Sequence, residues 1–211
     1  MRELDPTEIR ILGALLEKEQ ATPDYYPLTV ATLIAACNQK SNRDPVTSLE
    51  ETEIVETLDR LRLDALAWRH EGARAERWSQ MISRRLELDS AEKAALTVLM
   101  LRGPQTVGEL RTRTHRLREF ADLAEVEAAL ERMADDERRL VEKLPRRPGQ
   151  KEPRWAHRLG PGPEPREETP VSQPAPRRAP APRRDERLER IEERLEALEA
   201  LVERLRRDLG E

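Results

Sequence analysis

Cysteine is almost absent from this chain of 211 residues: Cys37 is the only one. No internal disulfide can form, so a reducing compartment is the expected setting. Aromatic residues make up only 3%, and the eight glycines form no phosphate-cradling loop. His70, His115 and His157 stand far apart, with no cysteine or second histidine at metal-ligand spacing. No apolar run approaches the roughly 18 residues of a membrane span. The opening MRELDPTEIR has no apolar signal core. The expectation is a soluble, cytoplasmic, non-enzymatic protein without catalytic, cofactor-binding or metal-binding residues. Cys37 follows Ile34 on the inward face of a helix pattern, with no base set beside it by any motif, and reads as a buried structural thiol.

What the chain has in abundance is charge. Charged residues make up 38%, with 42 acidic against 38 basic side chains and a net charge of −4. Mean hydropathy is −0.81 and the pI about 5.7. That is too polar for one large globule, so part of the chain is expected to be solvated. A mildly acidic whole offers no global attraction to nucleic acid or an anionic membrane.

Residues 161–184 hold half of the 16 prolines. Proline removes amide donors and fixes φ, so this stretch reads as a disordered Pro/Arg-rich linker. Residues 185–211 follow with Leu188, Ile191, Leu195, Leu198, Val202, Leu205 and Leu209 at alternating spacings of three and four. That is a heptad seam, and self-association through a C-terminal coiled-coil helix is expected. Leu188 at a with Ile191 at d leaves the number of strands open.

The first 160 residues contain an internal repeat. LDPTE (4–8) matches LDSAE (88–92), each an Asp cap with Glu three residues on, followed by apolar residues at helical spacing. TVATL (29–33) matches TVGEL (106–110), and IVETLDRL (54–61) matches VEAALERM (126–133). Each copy ends in two short strands around a polar turn, and Arg77-Trp78 aligns with Arg154-Trp155. Three helices and a β-hairpin, found twice, predict two tandem winged-helix domains, 1–83 and 84–160. The predicted fold class is mainly α with small β-hairpin wings (α+β). Gly13, inside the first helix, is expected to permit close helix packing.

The stretches at 12–46 (LGALLEKEQATPDYYPLTVATLIAACNQKSNRDPV), 101–130 and 146–157 resemble the YceH family of bacterial proteins. The resemblance covers roughly residues 4 to 160. It implies tandem winged helices and a cytoplasmic bacterial protein without an established activity, and it supplies no catalytic or cofactor residues.

Winged helices often seat the third helix in a DNA groove. Here that helix carries Glu50, Glu51, Glu53, Glu56 and Asp59 in one repeat, and Asp122, Glu125, Glu127 and Glu131 in the other. Carboxylates at a phosphate-lined groove are repelled, so readout by these helices is disfavoured. Their other role is to complement the helix dipole. Phosphate contacts could come instead from Arg74, Arg77, Arg146, Arg147, Lys151 and Arg154 in the wings, helped by Arg69, by Arg111, Arg113, Arg116 and Arg118, and by Lys40 and Arg43. Basic clusters also arise by chance in so charged a chain.

The connection NQKSNRDPV is long for a winged helix. Asn38, Gln39, Lys40, Ser41, Asn42 and Arg43 combine capping groups with donors suited to an anion or a peptide carboxylate. A protein-binding role is the leading expectation for them, with loop capping as the rival. The leading function is a non-enzymatic adaptor for an unidentified protein partner, multimerised by its tail. The alternative is a DNA-associated transcriptional regulator. Of Tyr25 and Tyr26, one is expected to pack over the domain edge; the other is left open.

Overall fold

The computed structural model describes residues 2–161, apart from 73–74, 136 and 147–148. These residues are mainly helical, with two small antiparallel hairpins. The proposed coiled-coil helix and all of the proline-rich segment beyond Pro161 lie outside them.

The first half runs α1 (Pro6–Ala21), a 3-10 turn (Pro23–Tyr25), α2 (Val30–Cys37), α3 (Glu51–Leu63), β1 (Ala67–His70) and β2 (Arg77–Gln80). A short α4 (Ile82–Arg85) leads to the second half. There α5 (Ser90–Arg102), α6 (Val107–Thr114), α7 (Leu123–Ala134), β3 (Val141–Lys143) and β4 (Trp155–His157) repeat the order.

The repeat extends to individual bonds. Asp5 Oδ1 accepts from the Glu8 amide at 2.8 Å while Glu8 accepts from the Asp5 amide at 2.9 Å. Asp89 and Glu92 do the same at 2.8 and 3.2 Å. Each reciprocal box satisfies amides that a helix start leaves open. Thr29 and Thr106 cap α2 and α6 with their hydroxyls.

The caps also hold the third helices. Glu8 and Glu92 are buried. Arg60 on α3 reaches Asp5 at 3.0 Å and Glu8 at 3.5 Å. Arg132 on α7 reaches Asp89 at 2.7 Å and Glu92 at 3.3 Å. Burial works against the Glu8 charge, yet hydrogen bonds from Arg2 and the Asp5 amide hold its pKa below the usual carboxylate range.

Each hairpin is pinned to the residue before the threonine cap of its repeat's second helix. Leu28 and Trp78 exchange amide–carbonyl bonds of 3.0 and 2.7 Å, and Gln105 and Trp155 do so at the same lengths. Both tryptophan rings are buried. Arg77 donates to the Pro27 carbonyl at 2.9 Å and Arg154 to the Pro104 carbonyl at 2.9 Å. The aligned Arg-Trp pairs therefore serve one structural purpose, tying the hairpin to the approach to α2 or α6.

The two repeats do not keep separate cores. α1 lies along α5, and one continuous apolar cluster runs from Leu4 and Leu12 through Leu96 and Leu99 to Trp155 and Leu159. Gly13 makes the close approach possible: a Cβ there would stand 2.9 Å from a Leu101 methyl. The last strand of the second repeat leads back to the start of the first, where the Leu4 amide donates to the Leu159 carbonyl at 2.8 Å. Boundaries at 83 and 84 mark the repeat in the sequence, while the packing joins both halves into one compact unit.

Candidate partner-binding cleft

The segment between α2 and α3 is anchored at both ends. Asn38 donates to the Leu49 carbonyl at 2.9 Å and accepts from its amide at 2.8 Å. Thr47 donates to the Cys37 carbonyl at 3.3 Å. The Asp44 amide donates to the Leu101 carbonyl at 2.9 Å, which stitches the loop to the second repeat. Asn42 has a φ of +58°, a left-handed conformation that asparagine tolerates better than most residues.

Arg43 sits inside this arrangement. Its side chain is 0% exposed and its Nη2 lies 2.6 Å from Glu17. Nε and Nη2 also donate to the Ala36 carbonyl at 3.1 and 2.8 Å, and Nη1 to the Asn42 carbonyl at 2.9 Å and Glu17 at 3.2 Å. Its donors are spent within the fold, so Arg43 is a structural residue where the sequence suggested an open anion contact. Asn38 is likewise a loop clip. Gln39 donates to the Ser41 carbonyl at 2.9 Å, and Lys40, Ser41 and Asn42 are exposed.

Gln39, Ser41 and Asn42 form one wall of a cleft of about 470 Å³. The end of α1, with Glu17, Lys18 and Ala21, forms another. The second repeat closes it with Val98, Leu101 and Arg102 of α5 and Arg113, Arg116 and Leu117 of α6 and its extension. Arg102 donates to Asn42 Oδ1 at 2.6 Å. Burial and the neighbouring Arg113 charge lower the Arg102 pKa. Neither repeat alone could make this site.

The residues of the hairpins divide differently. Arg77 and Arg154 are tied down as described, and Arg154 also meets Glu109 at 2.7 Å. Arg69 pairs with Glu76 at 3.3 Å. Arg146 and Lys151 are exposed, whereas Arg74 and Arg147 lie outside the described residues. On α6, Arg111 donates to the Ala121 carbonyl at 2.9 Å, and Arg118 donates to Glu125 at 2.6 Å just beyond the helix. That leaves Arg113 and Arg116 directed to the cleft. On α3 the exposed positions include Glu51, Glu53, Glu56 and Arg62. Glu131 and Arg132 are exposed on α7.

The buried Cys37 thiol is pushed up to about 12 by burial. His157 is half-buried, and burial lowers its pKa to about 4. Tyr26 packs at the edge of the first repeat, its hydroxyl accepting from the Gln80 amide at 2.6 Å. Tyr25 is 76% exposed. Among the described residues no group of three His, Cys, Asp or Glu side chains could hold a metal, and no helix is long and apolar enough to cross a membrane. Sequence reasoning missed Arg102, because a cation closing an apolar helix reads as a C-terminal dipole partner.

The fold and cleft define a duplicated helix–hairpin protein with an inter-repeat site. A family described as "Protein of unknown function, DUF480" matches residues 4–150, and the chain belongs to that family. It is similar to a UPF0502 protein of Geobacter metallireducens, with 49% identity over 90% of this chain and 87% of the relative. A UPF0502 protein of Acidovorax sp. is 43% identical over 99% of this chain and 95% of its own length. One of Solibacter usitatus is 45% identical over 98% of both. The last two alignments run through the segments that follow the repeats.

Proposed function

We propose that this chain is a cytoplasmic, non-enzymatic adaptor built from two fused winged helices, which binds a protein partner at the inter-repeat cleft and is multimerised by residues 185–211. The observation that carries this reading is the convergence of Gln39, Ser41 and Asn42 with Arg102, Arg113 and Arg116 around one cavity of about 470 Å³. Pockets of that size, part polar and part apolar, suit specific recognition. Joining several copies raises the effective concentration of weak single contacts.

The alternative, a DNA-associated regulator, has less support. The surfaces that would enter a groove carry Glu51, Glu53 and Glu56, and two of the expected phosphate contacts, Arg77 and Arg154, are committed to carbonyls before α2 and α6. The reading is tested by crosslinking in the native cell followed by identification of bound proteins and nucleic acids. Recovery of a protein that Arg113→Glu with Arg116→Glu releases is the expected result. Recovery of nucleic acid alone, together with duplex retardation that weakens steeply with salt, overturns it.

A further inference from the structure

We infer that the inter-repeat cleft recognises an acidic peptide segment, one that presents carboxylates beside a large apolar side chain. This rests on the adaptor reading and names the chemistry of the partner it requires.

Charge is the first argument. The cleft is lined by four cations, Lys18, Arg102, Arg113 and Arg116, and by one carboxylate, Glu17. Glu17 is already matched by the buried Arg43 at 2.6 Å. Arg102 hydrogen-bonds a neutral amide oxygen, that of Asn42. Arg113 approaches Glu109 only at 3.6 Å, and Glu109 is held more closely by Arg154 at 2.7 Å. Arg116 is exposed and has no hydrogen bond or ion pair among the described residues. Guanidinium groups gathered around a concave surface repel one another unless an anion lies between them. Their planar forks accept carboxylates two bonds at a time.

Shape and polarity are the second. Ala21 and Leu117, backed by the buried Val98 and Leu101, give the cavity an apolar side. A bare phosphate would leave that side wet, while a leucine-sized side chain next to an acidic residue covers it. Nucleic acid fits less well. The other arginines of this region, Arg111 and Arg118, turn away to Ala121 and Glu125, so among the described residues of α6 and its extension they do not continue a basic track from the cavity. Such a track is what a phosphate backbone needs.

An array of randomised hexapeptides, probed with the labelled full chain, tests this. The bound peptides are expected to be enriched in Asp or Glu adjacent to Leu, Ile or Phe. Arg116→Glu, at a residue with no partner among the described residues, should weaken binding to the acidic peptides by about tenfold, the scale of one charged hydrogen bond. Arg113→Glu with Arg116→Glu should abolish the enrichment while the thermal midpoint stays unchanged. A bound set without acidic enrichment, or one that Arg116→Glu leaves intact, overturns the inference. So does displacement of the peptides by single-stranded DNA or inorganic phosphate at the same charge concentration. Failure of the adaptor reading is distinguishable: the array would behave as expected while crosslinking in the cell recovers no protein that the double substitution releases.

Discussion

Arg43 and Glu17 form an ion pair, 2.6 Å from Nη2 to Oε2, in which the guanidinium is buried and the carboxylate is partly exposed at the cleft wall, beneath a loop whose sequence suggests an open binding element. Removing the arginine takes away the hydrogen bonds to the Ala36 and Asn42 carbonyls and leaves Glu17 with water and the more distant Lys18, 3.9 Å away. Lost hydrogen bonds to a charged group cost about 1.5–3 kcal/mol. Arg43→Ala is therefore expected to lower the urea-unfolding free energy by about that much. Lys40→Ala, three residues away and exposed, should change it by less than about 0.5 kcal/mol. Equal stability of the two variants would show that the pair contributes little.

The packing of α1 on α5 makes a second expectation. If both repeats share one core, they should melt together. Trp78 reports on the first repeat and Trp155 on the second. In each of two chains, one retaining Trp78 and one retaining Trp155 with the remaining tryptophans changed to Phe, the fluorescence midpoint in denaturant should coincide with that of far-UV circular dichroism of the same chain. Gly13→Val places two methyls where a Cβ already meets Leu101 at 2.9 Å. Overpacking of this kind costs about 1–3 kcal/mol, and both tryptophan signals should move by the same amount. Separate transitions would mean two independent domains.

Much of this fold was legible from the residues. Asp5 with Glu8, Asp89 with Glu92, Thr29 and Thr106 announce helix starts because local side-chain to backbone bonds decide them. The repeat marked the hairpins, since Arg77-Trp78 and Arg154-Trp155 recur at the same point of each copy. The cleft was not legible. Arg102 and Arg116 are 14 positions apart in the sequence, and Gln39 and Ser41 lie more than 50 positions before either. Only the packing of α1 against α5 brings them to one cavity. The role of Arg43 was hidden for the same reason. A guanidinium in a polar loop looks free until its tertiary partners, Glu17 above all, are known.

His157 gives a pH prediction. Burial lowers its folded-state pKa to about 4, against an unfolded value of about 6.5. The Leu159 amide points to its Nδ1 at 3.4 Å, which suits the neutral ring. Between those values the unfolded chain takes up a proton that the folded chain refuses. Stability present above pH 6.5 is thus lost as pH falls towards 4, by about 3 kcal/mol at most. The Glu8, Asp89 and Glu109 carboxylates have lowered pKa values, so their contribution is complete above the ordinary carboxylate range and is lost as pH falls through it and below. The interval from about 5 to 6.5 is therefore diagnostic. Denaturant midpoints of the wild type should fall across it, and those of His157→Gln should stay nearly flat. A parallel fall in both proteins would assign the effect to other groups.

The Cys37 thiol offers the most direct check on the packing beneath the loop. It is fully buried, and burial pushes its pKa up to about 12, outweighing the nearby Arg43 and Arg10 charges that favour the thiolate. The thiolate is the reactive form, so at neutral pH both access and ionisation oppose reaction. Native protein should resist iodoacetamide for hours, and alkylation should proceed only as fast as the fold opens. In urea above the midpoint the reaction should be immediate. Because Arg43 covers this region by bonding the Ala36 carbonyl, Arg43→Ala should raise the native labelling rate, and Lys40→Ala should not. Rapid labelling of the wild-type protein would show that α2 and the loop part from the core far more readily than their hydrogen bonds imply.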